Sequence, residues 1–276
     1  MPDPLPPGVE LLNPAVRRWP FRVALFDFDG TLSLIREGWP RVMVEVMMRY
    51  LRAQGLIREP EAECAAHVED FVMALNGHPT MKQMERFAAE VRSRGGRPAD
   101  PAAYLQEYLE SLMAVVRGRW ESLEAGRATP EEWVVPNAHG ILGELRGRGV
   151  PLFVASGTDF AHVWREVELL RLAPLVGDRV FAPKDNDAAF RKRDVIDLAL
   201  RELGARGEAL IGFGDGVVET QEVKRVGGVA VGVASREAGS RGVNSSKRDT
   251  LIAAGADLII PDYGHAPELL AWLWGG

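Results

Sequence analysis

Hydrophobic positions along the chain fall into two textures. From about residue 34 to 133 apolar side chains recur at helical spacing, with almost no strand signal. Val42, Val46, Met47 and Tyr50 share one face of a helix expected over 41–54, and 61–75, 81–94 and 101–124 repeat the pattern. Asn76-Gly77-His78-Pro79 and Gly95-Gly96-Arg97-Pro98 break the helical runs. After Pro136 short apolar runs at 151–155, 179–182, 209–213, 228–233 and 256–260 alternate with helical stretches near 137–148, 159–171 and 193–203 and a last one ending near Trp274. One more strand is expected at 22–28, after a proline-rich lead-in over 1–20. Alternation of this kind predicts an α/β fold: a Rossmann-like parallel sheet with helices on both faces, carrying an all-helical insert. The sheet domain is discontinuous on this reading, residues 1–33 and 136–276, with the helical segment 34–135 between them.

Polar residues at the ends of the apolar strands change the picture from fold to chemistry. Val23-Ala-Leu-Phe-Asp-Phe-Asp-Gly-Thr-Leu32 is a buried strand closed by two carboxylates and a glycine. A carboxylate is costly in a core unless it is paired or binds a metal. Asp27 and Asp29 sit one residue apart at the carboxyl end of the strand, where open α/β sheets place their ligands. Read by themselves, Asp29-Gly30 also fit an ordinary turn. Leu152-Phe-Val-Ala-Ser156-Gly157-Thr158 ends a second strand in a hydroxyl, and the amide groups that follow face the start of a helix. Thr158 or Asp159 equally suits the cap of that helix. Leu210-Ile-Gly-Phe-Gly-Asp215-Gly216-Val-Val-Glu219 ends a third strand in an acid beside glycines, which allow close backbone approach. Upstream of it Lys192 precedes a helix, with Lys184 as its rival in a loop and a solvated basic patch, Arg191-Lys192-Arg193, as the plainer alternative.

Together and in this order, the four stretches resemble the four motifs of the haloacid-dehalogenase superfamily. The resemblance covers the sheet domain and says little of the insert beyond its position, which matches a helical cap placed after the first motif. It implies a Mg2+-dependent phosphatase working through a phosphoaspartate. By the resemblance Asp27 is the nucleophile and Asp29 the acid and base. Ser156, Gly157 and Lys192 would bind phosphate. Asp27, Asp29 (through its backbone carbonyl) and Asp215 would hold the metal. Glu219 departs from the pattern, since aspartate is usual there; being longer, it would act through a water or orient Lys192. An acid at Asp29 favours phosphatase or phosphomutase over the dehalogenase and phosphonatase branches.

Composition removes other chemistries. Net charge is −6 with pI about 5.5, which advertises no nucleic-acid surface. One cysteine, Cys64, excludes an internal disulfide and a cysteine-rich metal site. The five lysines are outnumbered by 28 arginines, so a lysine beside a motif is notable. There is no H-E-x-x-H, G-x-x-x-x-G-K-[ST] or G-x-S-x-G, and Gly212-Phe-Gly214 fails the dinucleotide fingerprint because position 217 is Val. The five histidines are scattered. No apolar stretch approaches the ~20 residues that span a bilayer, and the amino-terminal stretch lacks the apolar core of a signal peptide. The expected protein is cytoplasmic, without nucleic-acid or membrane partners, and acts on a small phosphorylated metabolite such as a sugar phosphate. Arg36, Trp39, His78, Thr80 and Lys82 are candidates for substrate choice, each of which also reads as an ordinary surface or packing residue. A phosphomutase on the same core and a non-catalytic phosphate-binding module are the competing readings.

Overall fold

The computed structural model describes residues 4–75, 80–184, 189–236 and 240–275. The chain divides into two compact units, one made of Met1–Glu37 with Ser122–Gly276 and the other of Gly38–Glu121.

The first unit is built on one seven-stranded sheet. Its strands are β1 (Glu10–Leu11), β2 (Val23–Phe26), β3 (Leu152–Ala155), β4 (Val180–Phe181), β5 (Leu210–Gly214), β6 (Val229–Val233) and β7 (Leu258–Ile260). Their order across the sheet is β1-β7-β6-β5-β2-β3-β4. Every pairing is parallel except β1 with β7. The strands β2, β3, β5, β6 and β7 are buried throughout, as a sheet covered on both faces requires. The edge strand β1 falls in the expected irregular lead-in. Two residues are too few for a periodic signal, and Asp257 fixes the segment instead: its backbone carbonyl accepts from Leu12 N at 2.9 Å and its carboxylate from Asn13 Nδ2 at 2.7 Å.

The second unit holds α1 (Trp39–Ala53), α2 (Glu61–Ala74), α3 (Thr80–Ser93) and most of α4 (Pro101–Glu124), whose last residues fall in the first unit. Tyr50, Phe87 and Tyr104 pack edge to face at its centre, with ring centroids 4.6–6.4 Å apart.

The first unit continues with α5 (Ala138–Gly147), α6 (Phe160–Leu169), α7 (Ala173–Val176), α8 (Lys192–Glu202), α9 (Val217–Arg225), α10 (Ser245–Ala254) and α11 (Ala266–Leu273). Alternate residues of the strands serve opposite faces. Val23, Leu25, Phe153 and Ala155 form one cluster with Val195, Ile196 and Ala199 of α8 and Val223 of α9. The chain leaves β2 and returns to the sheet side by side: Leu34 N donates to Trp133 O at 2.8 Å and Val135 N to Leu32 O at 3.0 Å. Residues 32–35 and 134–135 therefore belong to the sheet unit and are buried there.

Register places the chemistry. Phe26 is opposite Phe213 of β5 on one side and Val154 of β3 on the other. The residues that follow these three strands, Asp27, Asp215 and Ser156, therefore emerge at one end of the sheet, at its centre.

Candidate active site

Asp27 follows the last paired residue of β2, and its backbone N–H still donates to Phe213 O at 2.9 Å. That bond fixes where the carboxylate leaves the sheet. Asp215 follows β5, and Glu219 lies one turn into α9 on its buried face. One carboxylate oxygen from each of Asp27, Asp215 and Glu219 lies within 4.8 Å of the others. Gly30 makes room for this. Its φ is +73°, in the left-handed region, and a Cβ there would collide with the Asp215 carboxylate.

Two lysines enter the acidic cluster. Lys192, the first residue of α8, donates to Asp27 Oδ1 at 2.6 Å and to Glu219 Oε2 at 2.9 Å. The rival Lys184 lies elsewhere, its ammonium 5.1 Å from the centre of the Phe160 ring. Lys247, on α10, is 2.9 Å from Asp215 Oδ2 and 3.0 Å from Glu37 Oε1. Glu219 also accepts from the Gly216 amide at 2.5 Å.

Charge explains the protonation of the cluster. Burial pushes the Asp27 carboxyl well above its ordinary value, against the pull of Lys192, and the neighbouring Glu219 and Asp215 add to the rise. Asp215 is raised for the same first reason, with Lys247 opposing. Burial also opposes the charge on Glu219, but Lys192 and the backbone donors prevail and hold it below its usual value. Burial disfavours the Lys192 and Lys247 ammonium groups too, and their carboxylate partners more than offset it, so both are held protonated.

A hard divalent cation fits this donor set. Asp27, Asp215 and Glu219 outnumber the ammonium groups of Lys192 and Lys247 that meet them. The three carboxylates are close enough to converge on one such ion.

Asp29 belongs to a second, adjoining network. Its carboxylate is absent from the three-acid cluster. Oδ2 accepts from Ser156 Oγ at 3.1 Å and Thr158 Oγ1 at 2.9 Å, while Oδ1 faces Arg36 Nε at 3.3 Å. Arg36 in turn pairs at 2.8 Å with Glu166, which is wholly buried on α6 and also faces the Ser33 hydroxyl at 3.3 Å. Burial raises Glu166 to about 7 despite Arg36. Ser156 Oγ further accepts from the Thr158 amide at 3.0 Å, and Asp159 caps α6 by accepting from Ala161 N at 3.0 Å. Gly157 is exposed between them.

Of the candidates for substrate choice, Arg36 is thus drawn into the Asp29 network. Trp39, Thr80 and Lys82 belong to the helical unit, where Lys82 pairs with Glu85 at 2.8 Å. His78 lies outside the described residues.

Sequence reasoning missed Lys247, Glu37, Glu166 and the bond from Thr158 to Asp29. Glu166 carried a signal: it shares the apolar face of its helix with Val163, Val167 and Leu170, all buried. Lys247 carried little, because Leu251 is the buried residue of its polar helix.

The family described as haloacid dehalogenase-like hydrolase matches residues 21–227. None of the curated proteins matches the chain. A conserved haloacid dehalogenase-like protein of Agrobacterium tumefaciens is similar in structure, with TM-score 0.63, 18% identity and coverage of 91% of this chain and 98% of the other. A HAD family hydrolase of Deinococcus radiodurans, solved with bound phosphate and sodium, gives 0.59 and 18% over 92% and 96%. A predicted phosphoglycolate phosphatase of Haemophilus somnus gives 0.59 and 14% over 91% and 98%. At these identities the likeness is one of fold. Among the described residues no helix is long and apolar enough to cross a membrane.

Proposed function

The chain belongs to the haloacid dehalogenase-like hydrolases, and we propose that it is a Mg2+-dependent phosphatase of small phosphomonoesters, a sugar phosphate being the expected kind. The observation that carries this reading is the meeting of Asp27, Asp215 and Glu219 around Lys192 at the carboxyl end of the central strands.

Asp27 attacks phosphorus, and the bond from phosphorus to the ester oxygen breaks. Asp29, in the neighbouring network, gives its proton to the departing oxygen. The product is an alcohol and a phosphoryl group on Asp27. Asp29 then takes a proton from water, the hydroxide attacks phosphorus, and the bond to Asp27 breaks to release phosphate. Lys192 favours the ionised form of Asp27 against the effect of burial and places a positive charge beside the transferring group. Ser156 and the amides after it, at the start of α6, would bind phosphoryl oxygens. Asp27 and Asp215, with the Asp29 carbonyl, would hold Mg2+, and Glu219 would keep Lys192 in place. A bound divalent cation would supply further charge stabilisation at the phosphoryl oxygens.

A panel of small phosphomonoesters, assayed for phosphate release with and without Mg2+, tests the reading. Turnover is expected with Mg2+ only, and Asp27→Asn should reduce it by about a thousandfold or more, as loss of a nucleophile does, while the protein stays folded. Near wild-type turnover by that variant, or turnover untouched by removal of divalent cations, would overturn it.

A further inference from the structure

The ammonium of Lys247 sits beside the carboxylate that, on the reading above, receives the metal. It is 2.9 Å from Asp215 Oδ2 and 3.2 Å from Ser235 Oγ. Ser235 donates to the Gly30 carbonyl at 2.6 Å, so the same lysine steadies the loop that passes against Asp215. Glu37 Oε1 also pairs with the ammonium, at 3.0 Å. Asn244 caps α10 through the Lys247 amide at 3.1 Å, which sets where the side chain starts. Nothing in the assigned chemistry uses this lysine.

We infer that Lys247 is a positioning residue of the metal centre, a resident counter-cation that holds Asp215 and the Gly30 loop in place and competes with a divalent cation for Asp215, with Glu37 moderating the competition. The inference rests on the metal-dependent reading of the site. Like charges a few ångströms apart in a partly desolvated site repel strongly, so an ammonium on Asp215 weakens the binding of a second cation there. The Glu37 carboxylate, 3.0 Å from the ammonium, offsets part of that charge. The two variants therefore have opposite signs. Removing the ammonium should tighten metal binding, although it takes one ion-pair partner from each of Asp215 and Glu37. Removing the charge of Glu37 should weaken binding, because the whole ammonium charge then bears on Asp215.

Titration calorimetry with MgCl2 and no substrate reads this directly in the full chain. Lys247→Met is expected to bind Mg2+ about tenfold more tightly than wild type, and Glu37→Gln about threefold more weakly. A lysine that merely holds the fold together would give weaker binding, or none, on removal. Binding by Lys247→Met that is equal to or weaker than wild type overturns the inference, as does tighter binding by Glu37→Gln. The second variant keeps the test alive should the first fail to fold. Wild-type uptake with no gain in Lys247→Met overturns this inference alone. A wild-type protein that takes up no Mg2+ overturns it together with the metal-dependent reading.

Discussion

Two buried acids of the sheet unit, Asp27 and Asp257, are treated in opposite ways. Asp257 is enclosed by donors. Its Oδ1 accepts from Asn13 and Lys224, both at 2.7 Å, and its Oδ2 from Lys224 at 2.8 Å and the Ala230 amide at 2.9 Å. One acid meets one ammonium and two neutral donors, and the result ties β1, β6, β7 and α9 together. Asp27 shares its lysine with Glu219 and lies beside Asp215. It has fewer donors than acceptors around it and more negative than positive charge. A balanced buried acid is a fastener, whereas an under-compensated cluster stores a tendency to take up a cation or a proton. The difference separates structure from function here better than burial does, since both acids are nearly inaccessible.

The largest way to break this contrast is to neutralise one acid on each side. Asp257→Asn should destabilise the fold by about 2 kcal/mol, the cost of leaving a partly buried ammonium without its charge partner. Mg2+ binding by the folded fraction should not change. Asp215→Asn should do the reverse: metal affinity falls about a hundredfold or more, while the metal-free protein loses little stability or gains some, because like-charge crowding is relieved. Thermal unfolding with and without Mg2+ compares the four states. Similar losses of stability in both variants would mean that the two clusters do the same job.

Much of this was legible in the sequence, and the reasons differ by element. The apolar runs ending in Asp27, Ser156 and Asp215 announce both the parallel sheet and its functional edge, because burial on two faces forbids the alternation that would hide a strand's end. Lys192 was readable against Lys184 only by its place before a helix. The parts that escaped lack a local pattern. Lys247 lies 32 residues beyond Asp215 in the chain, on a helix with little apolar face, and only the pairing of β5 with β6 brings it near. Glu37 and Arg36 fall at the end of a stretch that reads as the start of the insert, yet the sheet unit runs through both. Ser156 was read as a phosphate ligand, and its hydroxyl is 3.1 Å from Asp29; a spacing cannot say which of two acceptors a hydroxyl will face.

Glu166 sharpens the comparison from a third side, being wholly buried and paired with Arg36. Its carboxyl is raised to about 7, first by burial. An acid raised on folding binds its proton more tightly in the folded state, so its contribution to stability is complete below the unfolded value near 4.5 and is lost as pH rises through 7. Between pH 5.5 and 8.5 this amounts to about 2 kcal/mol. Glu166→Gln cannot titrate. The difference in Tm between variant and wild type should move in favour of the variant across that interval, whatever its sign at the start. A difference independent of pH would mean that Arg36 keeps Glu166 ionised throughout, placing it with Asp257 among the balanced acids.

The finest distinction lies within the Asp29 network, where two hydroxyls share one carboxylate oxygen. Thr158 Oγ1 is the nearer donor, 2.9 Å against 3.1 Å for Ser156 Oγ. Ser156 is fully buried and also receives the Thr158 amide, so it is fixed by its surroundings. Thr158 is partly exposed, and its bond to Asp29 is the contact that orients its side chain. Thr158→Val keeps the shape and removes the donor. One hydrogen bond of about 0.5–1.5 kcal/mol corresponds to a fall in kcat of roughly three- to tenfold. KM should hold, because the hydroxyl orients the acid and does not hold the substrate. A rise in KM at constant kcat would instead make Thr158 a phosphate ligand, and the donors around Asp29 would then be binding groups lent to the acid in the absence of substrate.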